Sequence, residues 1–172
     1  MLPGSELESL AAVPSAVNLV ALERYAEAKA AFASLANSAN ERDASYAQLW
    51  LLWLSARTQA GKPADIQKHL AAQAVGFAPR GSAQQALIAL YRGKGSVEAV
   101  FDAVNSMAFS DELQRRDART EAAFFAGGYL QYARQDKPAA LRLYQRELPN
   151  ASASIERPLL TQAIATLATS SY

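Results

Sequence analysis

The sequence predicts an all-α protein, a stack of antiparallel helical hairpins with about nine or ten helices and no strands. Three observations carry this. The segment Glu121 to Leu148, EAAFFAGGYLQYARQDKPAALRLYQREL, reads as two amphipathic helices joined by a four-residue polar turn. Phe124, Gly128 and Tyr132 recur at i, i+4 and i+8, and Ala140, Leu143, Tyr144 and Leu148 form a second apolar stripe. The 172 residues are 51% hydrophobic, lean on alanine, contain 7 prolines and 8 glycines, and lack the β-branched runs of strands. Finally, a hairpin with two apolar faces cannot bury both alone, so it must stack on neighbours. The length suits one domain, residues 6–172, behind a start, MLPGS, that reads as a cloning remnant.

Taken in order, Leu7 to Val13 predicts a short helix ended by Pro14, and a second helix starts from Ala16 with Val17, Val20 and Ala21 at helical spacing. Glu23-Arg24-Tyr25 is a polar turn, after which Ala28, Phe32 and Leu35 share a face up to Asn37. Beyond a loop to Asp43, Tyr46, Leu49, Trp50, Trp53 and Leu54 make the most aromatic helix, which stops at Gly61. Pro63 opens the next as a first-turn proline, with Ile66, His69 and Leu70 following. After the loop Phe77 to Ser82, a hairpin runs from Ala83 through Leu87, Ile88 and Tyr91 to the turn Gly93-Lys94-Gly95, and Ser96 caps a helix bearing Val97, Val100, Phe101 and Val104. Ser110 is the expected cap of a long polar helix leading into Glu121, and a last helix spans about Pro158 to Ala168.

Charge excludes several kinds of work. Seventeen Lys and Arg face 16 Asp and Glu, and both halves of the chain are balanced. The densest basic group, Arg115, Arg116 and Arg119, is interrupted by Asp111, Glu112, Asp117 and Glu121, so no nucleic-acid-binding stripe is expected. Without cysteine there is no disulfide, thiolate zinc site or cysteine nucleophile. No apolar run reaches the ~18 residues that span a bilayer, and no transmembrane segment is expected.

A few single residues bear on chemistry. Asp65 and His69 lie four apart and can pair on one helix face, yet no nucleophile motif accompanies them; catalytic residues, metal ligands and cofactors are not expected. Gly93-Lys94-Gly95-Ser96 lacks the spacer and preceding strand of a phosphate loop. Gly127-Gly128 costs about 2 kcal/mol of helix stability, an expense that close approach of a neighbouring helix would offset. Trp50 and Trp53 fall on nearly one face and either pack in the core or anchor a groove; Tyr129 and Tyr132 pose the same choice, with rings part-buried and hydroxyls at the surface. With Arg134 and Arg142 beside the last hairpin, these six residues form the candidate partner-binding surface.

Phe124, Gly128, Tyr132, Ala140 and Tyr144 together resemble the tetratricopeptide repeat, and Ala28 with Phe32 repeats its last two positions. Gln131 and Glu147 depart from the pattern, which prefers an aromatic and a small residue there. Across Tyr46 to Pro158, the order LWLLWLSAR, LYRGKGSVEAVFDAV and TEAAFFAGGYLQYARQDKPAALRLY is similar to the C-terminal half of NlpI-type tetratricopeptide lipoproteins. Those are bacterial envelope proteins that scaffold peptidoglycan hydrolases and proteases, often as dimers. The resemblance implies a right-handed array and a non-catalytic adaptor or scaffold for other proteins or peptides. It also implies a periplasmic, envelope-associated location after loss of an export signal, with the cytoplasm as the alternative. The family's lipidated cysteine is missing here. The alternative function is self-association, as in a homodimer, because the final helix, LLTQAIATLA, reads as too apolar for a terminal cap.

Overall fold

The computed structural model describes residues 4–151 and 154–170, with the backbone alone for 4–10. Among these residues the chain forms nine α-helices and no strand: α1 (Gly4–Ala21), α2 (Tyr25–Ala36), α3 (Glu41–Thr58), α4 (Pro63–Ala74), α5 (Ser82–Tyr91), α6 (Val97–Asn105), α7 (Glu112–Gly128), α8 (Lys137–Glu147) and α9 (Arg157–Thr169). A π-helical turn, Tyr129–Ala133, prolongs α7, and a 3₁₀ turn, Leu148–Asn150, follows α8. Residues 1–3 of the MLPGS start lie outside the described residues, and Gly4 opens α1.

Local chemistry sets most boundaries. Asn40 caps α3 by accepting from the backbone N–H groups of Arg42 and Asp43 at 3.1 and 3.2 Å, and Ser96 caps α6 by accepting from Ala99 at 3.1 Å. Pro63 stands in the first turn of α4. Helix α5 closes on Gly93, whose φ of 74° is free for glycine; Gly93 N–H donates to Leu90 and Lys94 N–H to Ala89, both at 2.9 Å, the paired pattern of a Schellman cap. The same pattern ends α1, where Glu23 takes the left-handed position despite its side chain.

Three expectations are corrected. Pro14 does not end a helix, since α1 runs through it. A proline inside a helix forfeits one backbone bond, and the inward face of Ala16, Val17 and Val20, packed on α2, holds the helix together. The cap of α7 is Asp111, accepting from Gln114 N–H at 2.8 Å, while the Ser110 N–H is bound by the Gln114 side chain at 3.3 Å. Finally, α9 is not apolar on its outer face: Leu159, Leu160 and Leu167 are buried, and Thr161, Gln162, Ala165, Thr166 and Thr169 are exposed.

Consecutive helices pack against each other along the chain, and α3 is the hub, touching α2, α4, α5, α7 and the π turn. Its aromatic side chains fill the middle of the core. Trp50 stacks on Phe32 at 5.1 Å between ring centres and meets Phe125 edge-on at 5.3 Å, and Trp53 stacks on Phe124 at 5.3 Å. The glycine pair makes this possible. The Tyr144 ring presses on Gly127 and the Trp53 indole on Gly128, each where a β-carbon would stand.

A buried ion pair closes α7 on α8. Glu147, 1% exposed, accepts from Arg119 Nε at 3.1 Å and Nη2 at 2.7 Å, from Arg146 Nε at 3.1 Å and from Asn150 at 3.0 Å. The acid thus stands where a small residue would leave both arginines unanswered.

Candidate functional site

Beside the N-terminus of α3, side chains from four helices and one loop converge on a cleft of about 590 Å³. The Asn40 cap fixes the first turn of α3, so that Arg42, Asp43 and Tyr46 line it. Helix α7 contributes Asp117 and Glu121, one turn apart on a shared face. Gln84 of α5 bridges to Ser45 Oγ at 3.3 Å and accepts from Arg80 N–H at 2.9 Å. Val13 of α1 and the segment Ser154 to Glu156 complete the wall. Arg42, Gln84 and Glu121 also line a cavity of about 320 Å³ with Arg80, Leu87 and Met107, so the two spaces are lobes that share one divide.

The larger lobe is dominated by acid. Among the described residues four carboxyl groups, Asp43, Asp117, Glu121 and Glu156, face it, against the single guanidinium of Arg42. Glu156 is buried and internally bound: Tyr46 Oη donates to its Oε1 at 2.6 Å, and the Ser154 hydroxyl donates to its other oxygen. Among the described residues the remaining three accept no hydrogen bond and form no ion pair within 4 Å. Asp43 lies in the first turn of α3, where the helix N-terminus favours it. Asp117 Oδ1 is sealed from solvent with no partner. Burial, with help from the charge of Glu156 and some from Asp117, raises the Glu121 pKa to about 8, while Arg42 pulls the other way. The Tyr46 phenol is likewise held well above its ordinary value, by burial first and then by Glu156 and Glu121. Chemically, the lobe can receive a cation and seat it against more than one carboxylate.

The structure does not gather the six sequence-predicted surface residues on one face. Trp50, Trp53 and Tyr129 are buried in the core, so they are not available as surface anchors; the hub position of α3 and the turn after α7 bring them inward. Tyr129 packs on Tyr91 at 5.0 Å rather than presenting its hydroxyl end. Tyr132 is half-buried, meets Trp53 edge-on at 5.7 Å, and shares the Arg57 guanidinium with Tyr25, the cation lying 5.2 and 4.9 Å from the two ring centres. Arg134 is exposed, 6.0 Å from the Tyr129 ring, and Arg142 is exposed on α8. Asp65 and His69 are both exposed and do not pair within 4 Å. Among the described residues, no three His, Cys, Asp or Glu side chains are placed to hold a metal ion, and no helix is long and apolar enough to cross a membrane.

Sequence reasoning missed the cleft residues. The available signal was the spacing of Asp117 and Glu121, two acids at i and i+4, an arrangement that like charges disfavour on a solvated helix. They read instead as counter-charges to the neighbouring arginines. Comparison with protein-family models, with curated proteins and with solved structures gave no match.

Proposed function

We propose that this protein is a non-catalytic interaction module, an adaptor or scaffold that receives a segment of a partner polypeptide in the two-lobed cleft beside α3. The observation that carries the reading is the cleft itself: its larger lobe has the size of a ligand pocket and is walled by carboxyl groups that the fold leaves without partners. Recognition at polar side chains fits the withdrawal of the tryptophans into the core.

The proposal extends to a tetratricopeptide-like stack as the scaffold. Ala140 and Tyr144 are buried where that signature places its small and aromatic residues, Gly128 is closely packed, and sequential helices are neighbours. On the sequence resemblance, we further propose bacterial envelope enzymes, peptidoglycan hydrolases or proteases, as partners in the periplasm.

The cysteine-free chain makes a direct test simple. A photo-crosslinker on Gln84→Cys, at the divide between the lobes, and another on the exposed Gln145→Cys of α8 are exposed to envelope and cytosolic extracts. Hydrolases or proteases captured through residue 84 and not through 145 support the reading and the location. Capture of cytosolic proteins alone places the protein in the cytoplasm. Capture of only the chain's own copies, with mass rising with concentration in sedimentation, replaces the adaptor reading with self-association.

A further inference from the structure

The larger lobe contains carboxyl groups that its own architecture does not use. Glu156 is committed to Tyr46 and Ser154, and Asp43 is accounted for by the start of α3. Asp117 and Glu121 have no such role. They stand one turn apart on the same face of α7, and neither forms a hydrogen bond or ion pair among the described residues, so that Glu121 keeps its proton near neutral pH while no cation lies beside it. The Oδ1 atom of Asp117 is closed off from water and still unpartnered, a condition that a folded protein keeps rarely, because a buried carboxylate oxygen without a donor is costly. Helix α7 has arginines enough to answer them: Arg115 and Arg116 go to Glu112, and Arg119 to Glu147. Among the described residues the one cation lining the lobe, Arg42, is exposed and has no ion-pair partner within 4 Å, so it does not answer these carboxyl groups at contact distance.

We infer that the larger lobe takes the ammonium or guanidinium group of a lysine or arginine side chain, carried on a basic segment of a partner polypeptide and seated between Asp117 and Glu121. This rests on the cleft being a polypeptide site, and it specifies the chemistry of the occupant. The charge imbalance of the lobe selects a cation. The absence of three metal-ligating groups in reach of one point, among the described residues, favours an organic cation with several donors over a bare ion. The volume, about 590 Å³, exceeds what one charged side-chain head occupies and leaves room for flanking backbone. Arg80 and Arg42 beside the smaller lobe oppose entry of a second cation there and set one orientation for the segment.

The test uses the full chain and two fluorescein-labelled octapeptides of alternating lysine and glycine, one of them with every lysine acetylated. Anisotropy at low ionic strength is expected to show the charged peptide binding at least tenfold tighter than the acetylated one. At pH 9, where Glu121 is ionised and lysine still charged, Asp117→Asn and Glu121→Gln, which keep side-chain shape, are each expected to weaken the charged peptide about fivefold or more without changing the helical circular dichroism. Arg42→Gln, which removes the competing cation, is expected to tighten it. Equal binding of the two peptides overturns the inference while leaving the cleft as a polypeptide site. Binding of the charged peptide that is indifferent to Asp117→Asn, Glu121→Gln and Arg42→Gln overturns it as well, since the contact then lies elsewhere. Displacement of the peptide by an equal concentration of spermidine overturns the polypeptide source. Failure of both peptides to bind overturns this inference, and lack of selective crosslinking through residue 84 separately removes the cleft reading beneath it.

Discussion

Tyr144 occupies the space that a side chain on Gly127 would need: a β-carbon there would lie 2.7 Å from the ring Cζ and closer still to Cε1. The ring cannot retreat easily, because it is fully buried and its hydroxyl donates to Gln131 Oε1 at 3.0 Å. Alanine ordinarily stabilises a helix interior by about 1 kcal/mol over glycine. At this site overpacking wins, and Gly127→Ala is expected to destabilise the protein by about 2 kcal/mol net. Gly128→Ala meets the Trp53 indole, with Nε1 at 2.5 Å, and is expected to behave alike. Urea denaturation of each variant decides it; a stabilised Gly127→Ala would show that the rings yield.

The Glu147 carboxylate is buried and depends on Arg119 for two of its hydrogen bonds. Arg119→Met leaves that charge with Arg146 and Asn150 only, and is expected to cost about 3 kcal/mol. Replacing both members, Arg119→Met with Glu147→Leu, is expected to recover much of the loss, because the penalty lies in the stranded charge. A double-mutant cycle of unfolding free energies checks both expectations.

Glu121 links stability to pH. Its pKa lies at about 8 in the folded protein, against an ordinary value of 4.5, with burial as the main cause and Glu156 and Asp117 adding to it against Arg42. Between those pH values the folded state keeps a proton that the unfolded chain has lost, so stability is full below about 4.5, falls as pH rises, and the loss is complete above about 8. The expected size is about 2–4 kcal/mol, and Glu121→Gln, neutral throughout, should flatten this part of the profile. Denaturation at pH 5, 7 and 9 reads it directly, and parallel profiles for the two proteins would contradict the assignment.

Tyr46 supplies one of the two side-chain hydroxyls on the buried Glu156. Tyr46→Phe keeps the ring that meets Trp50 and Phe125 edge-on at 6.3 and 6.0 Å and removes only the oxygen. The expected loss is about 1–3 kcal/mol, visible as a lower Tm at pH 7. An unchanged Tm would mean that Glu156 finds another donor without cost.

The helices were legible in the sequence because each carries its own signals: Pro63 at a start, Ser96 as a cap, Gly93 at an end. The glycine pair also declared a close helix approach. The inward faces were less legible. Residues Ala122 to Gly128 are buried on every side, so α7 has no apolar stripe there to point to a single neighbour. Its packing on α3, far away in the chain, turns Trp50 and Trp53 inward and draws Asp117 and Glu121 to a cleft wall. Periodicity within one segment holds no information about such a distant partner. The π turn escaped notice for a related reason: it is a shift in backbone register, seen in the Arg134 N–H reaching back five residues to Tyr129 O at 3.0 Å, and no residue type demands it.

The bond from Tyr46 to Glu156 spans 110 positions of the chain, and with α3 lying on α7 it ties the first third of the molecule to the last. Helices that touched only their nearest neighbours could melt from either end, one unit at a time. Here the terminal helix cannot peel away without stripping Glu156 from α3, and α3 cannot loosen without opening the aromatic centre. Cooperative, all-or-none unfolding follows from that clasp, and shortening the chain from its C-terminal side would weaken helices that lie a hundred residues before the cut.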